Sequence, residues 1–186
     1  MHFNSKYTFF TLLFCLLLMS VSVSAQKNTG ITFPEIEGWE KGAITTYPVA
    51  ELGYSVAYQS EEAGTVTIYV YNGGNKKIAD GIDDKLVKKE IEKAGSDIVA
   101  IGKMGRYDNV KKIKSETVTL GDGKTKALYS LYNFEVRGMT VDSEIYLFGY
   151  QNNFIKIRAT RPKSEDGAEN TEFKDFLTEL DKVFSK

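Results

Sequence analysis

Two periods of apolar residues divide the chain into strands and helices. Gly53-Tyr54-Ser55-Val56-Ala57-Tyr58 and Thr65-Val66-Thr67-Ile68-Tyr69-Val70-Tyr71 alternate with a period of two on either side of a turn at Ser60–Gly64, which predicts a β-hairpin. Asn72-Gly73-Gly74-Asn75 ends it, because asparagine and glycine tolerate positive φ. From Asp83 the period lengthens: Val87, Ile91, Ala94, Ile98 and Ile101 recur at steps of four and three, predicting an amphipathic helix capped by Asp83 and terminated by Gly102. Gly95 weakens that helix by about 1 kcal/mol relative to alanine, so packing of the apolar stripe must hold it. A second helix, from Asn170 to Phe184, gathers Phe173, Phe176, Leu177, Leu180 and Phe184 on one side. Glu172 and Asp175 near its start and Lys182 near its end suit the helix dipole.

Four strands are predicted between the helices: Val110–Leu120, Thr125–Arg137, Val141–Tyr150 and Phe154–Arg161. Taking Asn152-Asn153 and Gly138-Met139 as two-residue primed turns sets their register. Tyr150 then faces Ile155, Phe148 faces Ile157, Tyr146 faces Ala159 and Glu144 faces Arg161. On the other flank Phe148 faces Tyr129, Tyr146 faces Leu131, Glu144 faces Asn133 and Asp142 faces Glu135. One side of this sheet is aromatic and aliphatic, and the other, with Leu128, Tyr132, Phe134, Ile145, Leu147 and Phe154, is largely apolar too. Both sides need cover, and one helix stands before the strand block and one after it. The expected fold is therefore α+β, an α/β/α sandwich around a mainly antiparallel sheet, forming a single domain over 53–186. Residues 26–52 are expected to lie extended on that domain, anchored by Phe33 and Trp39, with a short strand at Ala43–Tyr47.

The start of the chain has a different character. Lys6 precedes an apolar run from Phe9 to Met19, and the small residues Ser20 to Ala25 follow, with Val23 and Ala25 at the minus-three and minus-one positions of a cleaved signal peptide over 1–25. The run falls well short of the roughly 20 residues that cross a bilayer, and Cys15 lies inside it instead of at the cleavage point. An exported protein is expected, periplasmic or extracellular, with no membrane span and no lipid anchor. Cleavage removes His2 and Cys15, the only histidine and cysteine. What remains can build no Ser-His-Asp triad, no Cys-His pair, no thiolate or imidazole zinc site and no disulfide. The overall composition, 42% hydrophobic and 26% charged, is that of an ordinary globular chain. The mildly basic stretch Lys76–Lys114 interleaves its lysines with Asp83, Asp84, Glu90, Glu92 and Asp97. That pattern reads as a solvated helix face and gives no ground for a nucleic-acid partner.

The order of hairpin, helix, antiparallel strand block and C-terminal helix, opened by Gly53-Tyr54-Ser55-Val56-Ala57-Tyr58, resembles the PsbP/Mog-like superfamily and its exported bacterial relatives over most of Gly53 to Phe184. The resemblance implies a small accessory or binding domain without catalysis. It carries over no functional residue, because the metal binding of some relatives depends on histidine. No cofactor or metal is implied.

Two groups of residues are candidates for a site. Tyr54, Tyr58, Tyr69 and Tyr71 decorate the first hairpin, and aromatic rings beside adaptable polar groups make recognition surfaces for a partner or a sugar-like ligand. The second group is a carboxylate cluster, Glu135 opposite Asp142 with Glu144 and Arg161 on the next rung. Opposed carboxylates repel, and such a pair could share a proton, act as acid and base, or take a hard cation. Asn72-Gly73-Gly74-Asn75-Lys76-Lys77 and Gly121-Asp122-Gly123-Lys124 lack phosphate-loop spacing and read as turns. Arg137, Lys156 and Arg158 are strand residues with no assigned role. The expected function is an exported, non-enzymatic binding or accessory protein whose partner is an envelope or secreted protein or a small ligand. The alternative is a carboxylate-dependent hydrolase or divalent-cation-binding protein using Glu135, Asp142 and Glu144.

Overall fold

A computed structural model describes residues 31–163 and 170–185; the signal segment expected at 1–25 lies outside them. The strands are β1 (Glu40–Lys41), β2 (Thr45–Thr46), β3 (Tyr54–Ser60), β4 (Gly64–Tyr71), β5 (Asp108–Thr119), β6 (Lys126–Val136), β7 (Met139–Tyr150) and β8 (Asn153–Pro162). Helix α1 (Lys85–Lys103) separates β4 from β5, and α2 (Thr171–Phe184) closes the chain. All eight strands join one sheet in the order β1-β3-β4-β8-β7-β6-β5, with β2 also paired to β3. Every pairing is antiparallel, so the chain is α+β with a mainly antiparallel sheet. Among the described residues no helix is long and apolar enough to cross a membrane.

Local chemistry sets the element ends. Asp84, not Asp83, caps α1: its Oδ1 accepts from the Leu86 N–H at 2.8 Å while its Oδ2 accepts from the Ala79 N–H at 2.7 Å. One carboxylate thus satisfies an orphan helix donor and ties down the loop that enters the helix. Asn170 caps α2 as its position suggests, accepting from the Phe173 N–H at 2.8 Å.

Both predicted turns of the strand block lie one residue earlier than expected. The residues with positive φ are Arg137 (53°) with Gly138 (77°) and Gln151 (49°) with Asn152 (62°), the signature of type I′ turns. At the first turn, Gly138 at the second central position supplies the positive φ more readily than Met139 would there, whereas the second turn places Gln151 and Asn152 in that region. Moving each turn by one residue shifts each register by two and leaves every side chain on its expected side. Phe148 therefore pairs with Ile155, Tyr146 with Ile157 and Tyr129, and Glu144 with Ala159 and Leu131. Asp142 pairs with Arg161 and Asn133, and Glu135 pairs with Thr140. The predicted opposition of Glu135 and Asp142 does not form.

Strand β7 gives its side chains alternately to two clusters. Tyr146 and Phe148 join the cluster of α2, where Phe173, Phe176 and Phe184 meet Trp39, Tyr58 and Ile157. Phe33 and Trp39, at 4% and 6% exposure, are inside that cluster. Ile145 and Leu147 point the other way, toward the apolar stripe of α1 with Val87, Ala94 and Ile98. The two helices share β7 and otherwise cover different strands: α1 stands over β5, β6 and β7, whereas α2 meets β3, β7 and β8 through Tyr58, Phe148 and Ile157. Part of each side of the sheet is left without a helix.

Candidate functional site

One open part lies beside α2. A groove of about 890 Å³ runs between the N-terminal half of α2, with Phe173, Lys174 and Leu177, and a floor formed by β5, β6, β7 and the end of β8. On that floor sits Glu144, a carboxylate only 4% exposed. A buried charge without partners is strongly destabilising, and this one is surrounded by donors. Tyr146 Oη donates to Oε2 at 2.6 Å, Tyr129 Oη donates to the same oxygen at 3.2 Å, and the Arg161 guanidinium donates to Oε1. Arg161 itself lies over the Phe173 ring, with its guanidinium carbon 4.7 Å from the centroid. The helix thereby supplies an aromatic lid to the ion pair below it.

The electrostatics follow from this enclosure. Burial first, and then the Glu144 charge, push the Tyr129 and Tyr146 phenols far above their ordinary range, so both remain donors. Asp142 is held above the usual aspartate range by burial, with Glu144 adding to the shift while Arg161, Lys163 and a hydrogen bond from Asn133 Nδ2 oppose it. At the groove wall Lys114 pairs with Glu116 at 2.6 Å, and at the helix Lys174 pairs with Asp122 at 3.0 Å.

Of the four residues predicted as a cluster, Asp142, Glu144 and Arg161 do line this groove. Glu135 does not: it lies toward the β6–β7 turn, accepts a hydrogen bond from Asn109 Nδ2 at 2.8 Å and stands opposite Asp108 on β5. Among the described residues no three acidic, histidine or cysteine side chains converge as a metal site would need. Tyr129, Tyr146 and Phe173 escaped the sequence reading as site residues, because their parity made them core. The signal that could have found them is the buried acid itself, since a glutamate followed by the apolar run Ile145–Phe148 needs donors from its own side of the sheet.

The hairpin tyrosines do not form one surface. Tyr54 and Tyr58 point to the α2 cluster at 4% and 0% exposure, and the Tyr58 hydroxyl donates to the Pro34 carbonyl at 2.8 Å. Tyr71, on the α1 side, is 9% exposed and donates to Glu90 Oε1 at 2.7 Å. Tyr69 is half-buried and packs against the α1-side cluster of Tyr71, Val87 and Leu147. The correction is one of parity: even residues of β3 and odd residues of β4 point to opposite sides.

No protein-family model matches this chain, and no curated protein matches it.

Proposed function

We propose that the protein is an exported, non-enzymatic binding or accessory domain, layered as an α/β/α sandwich, whose recognition groove is the one beside α2. The observation that carries this reading is the closure of the Glu144 cluster. The side chains best suited to chemistry on the groove floor are spent on one another, with two phenols and a guanidinium satisfying one carboxylate. Such a floor is rigid and preorganised, which lowers the ordering cost of binding. It offers no free nucleophile beside a base. The element order shared with PsbP/Mog-like accessory domains supports the same reading, as does the signal-like segment ahead of Gln26.

A photo-crosslinking side chain at Lys114, on the groove wall, tests it against one at Ser96, on the exposed side of α1. In intact cells the Lys114 probe is expected to yield a discrete adduct that the Ser96 probe does not. Equal or absent adducts at both positions remove the groove as the recognition site. The hydrolase alternative draws on a single observation, the raised Asp142 carboxyl beside Glu144. It requires the Asp142 carboxyl to hold its proton above the usual aspartate range, which carbon-detected NMR of that carboxyl reads directly.

A further inference from the structure

The second candidate surface lies on the other side of the sheet, along β4 and β8 at the margin of α1. We infer that the surface around Arg158 and Lys156 on β8 is a binding site for an oxyanion, a carboxylate or a sulfate or phosphate ester carried by a small polar ligand.

The strand register brings the site together. Arg158 pairs across to Thr67 and Lys156 pairs across to Tyr69, so the four side chains share one side of β4 and β8. Two basic residues thus leave one strand on the same side, with backbones about 7 Å apart. Among the described residues neither makes an ion pair with a carboxylate, although both are half-buried. The partners they have are neutral. Arg158 Nε donates to Ser143 Oγ at 3.3 Å and its Nη2 reaches Tyr107 Oη at 3.5 Å, while Lys156 Nζ lies 4.6 Å from the centre of the Tyr69 ring and 5.3 Å from that of Tyr71. The side chains that β3, β4, β7 and β8 turn to this side include no acid: the acids of β7, Asp142 and Glu144, have the opposite parity.

Hydroxyls complete the surface. Tyr47, hydrogen-bonded to Ser55 at 2.9 Å, and Tyr107, stacked on Phe134 with centroids 4.1 Å apart, both lie close enough to Tyr69 to oppose its ionisation. Burial is the larger cause that raises the Tyr69 phenol, against Arg158 and a hydrogen bond with Thr67, so it stays a donor. Burial also holds Lys156 below the usual lysine range; Glu90 and Asp97 of α1 work against that shift while Arg158 and Lys93 add to it. Glu90 is already engaged by Tyr71 and lies 3.9 Å from Lys93. A forked guanidinium, an ammonium and the phenols of Tyr69 and Tyr107 on one side of the sheet match the acceptor-only chemistry of an oxyanion.

The test uses amide and side-chain NMR of the protein titrated, at fixed ionic strength, with sodium sulfate, glucose 6-phosphate, glucuronate and neutral glucose. Saturable shifts at Thr67, Tyr69, Tyr107 and Arg158 with any of the anions, and none with glucose, are expected. Sulfate and glucose 6-phosphate acting alone assign an ester anion, and glucuronate acting alone assigns a carboxylate. Arg158→Gln is expected to weaken binding at least tenfold, and Lys112→Gln, on the exposed edge strand, to leave it unchanged. Non-saturating shifts spread over the surface lysines, binding of glucose equal to that of glucuronate, or full binding by a folded Arg158→Gln variant each overturn the proposal. This site shares no residue with the groove beside α2, so failure here leaves that reading standing and success does not support it.

Discussion

Arg158 and Arg161 lie three residues apart on one strand and point to opposite sides of one sheet. Arg161 meets a buried carboxylate, two tyrosines that hydrogen-bond it and a phenylalanine above it. Arg158 meets a serine, a tyrosine and a threonine-lined neighbour strand, with no carboxylate in ion-pair reach among the described residues. The pairing follows from β7: Glu144 and Ser143 are consecutive, so one side of the sheet receives the acid and the other receives the hydroxyl. Identical side chains therefore take different work. Where charge is balanced inside the fold it holds the fold together, and where it is left over it remains for something outside.

The sharpest way to break this contrast is to remove each guanidinium in turn. Arg161→Met leaves Glu144 buried without its counter-charge and is expected to cost about 3–5 kcal/mol in urea unfolding. Adding Glu144→Gln to that variant should recover a large part of the loss, because the amide oxygen still accepts from Tyr129 and Tyr146. Arg158→Met should change stability by less than about 1 kcal/mol, as expected where no internal ion pair is lost. If both single variants lose the same stability, Arg158 is structural as well and the contrast is wrong.

How much of this was legible in the residues depends on the period being read. Side assignment along the strands came out of alternation, and it survived a two-residue error in both registers because two is the strand period. The partner assignment did not survive. Glu135 stands opposite Thr140 and not Asp142, because Arg137-Gly138 and Gln151-Asn152 take the turn places that the pattern offers equally to Met139 and Asn153. Phe173 and Leu177 were visible as an apolar helix stripe, but where α2 stops covering the sheet depends on how large rings such as Trp39 and Phe176, with centroids 4.5 Å apart, fill the space beneath it. For the same reason Lys156 and Arg158 carried no signal alone. Their meaning depends on which strand pairs with β8, and β4 is distant in sequence.

A middle-sized effect tests whether the helix beside Arg158 sets that side of the contrast. At Gly95 of α1 an added Cβ would lie 2.0 Å from the Tyr132 hydroxyl, which explains a glycine in the middle of a helix. Gly95→Ala gains about 1 kcal/mol of helix propensity but forces overpacking that costs about 1–3 kcal/mol. The variant should be less stable overall, and Tyr132→Phe should relieve part of the loss. Its NMR shifts are expected around Tyr107 and Arg158, since Tyr107 stacks on Phe134 beneath the same helix, while Arg161 and Glu144 stay in place. Changes of equal size at both arginines would mean the two sides are mechanically one.

The smallest effect is also the most selective, because it relies on Asp142, an acid that β7 turns to the Arg161 side. Asp142 sits beside Arg161, and burial raises its carboxyl above the ordinary aspartate value of 3.8 in the folded chain. In the window between 3.8 and the raised value the folded chain holds a proton that the unfolded chain has lost, so stability falls as pH rises through it. Above that window the loss is complete and stays constant. Asp142→Asn removes the term, so the variant should gain on the parent across the window and keep the gain at neutral pH. Solvent screening of a half-exposed carboxyl limits that gain to under about 1 kcal/mol. Urea midpoints measured from acid to neutral pH check it, with Arg158→Gln as the control that leaves the slope unchanged. A parent whose stability rises through the same window would show that Arg161 and Lys163 outweigh burial, placing Asp142 within the balanced charge of the Glu144 cluster.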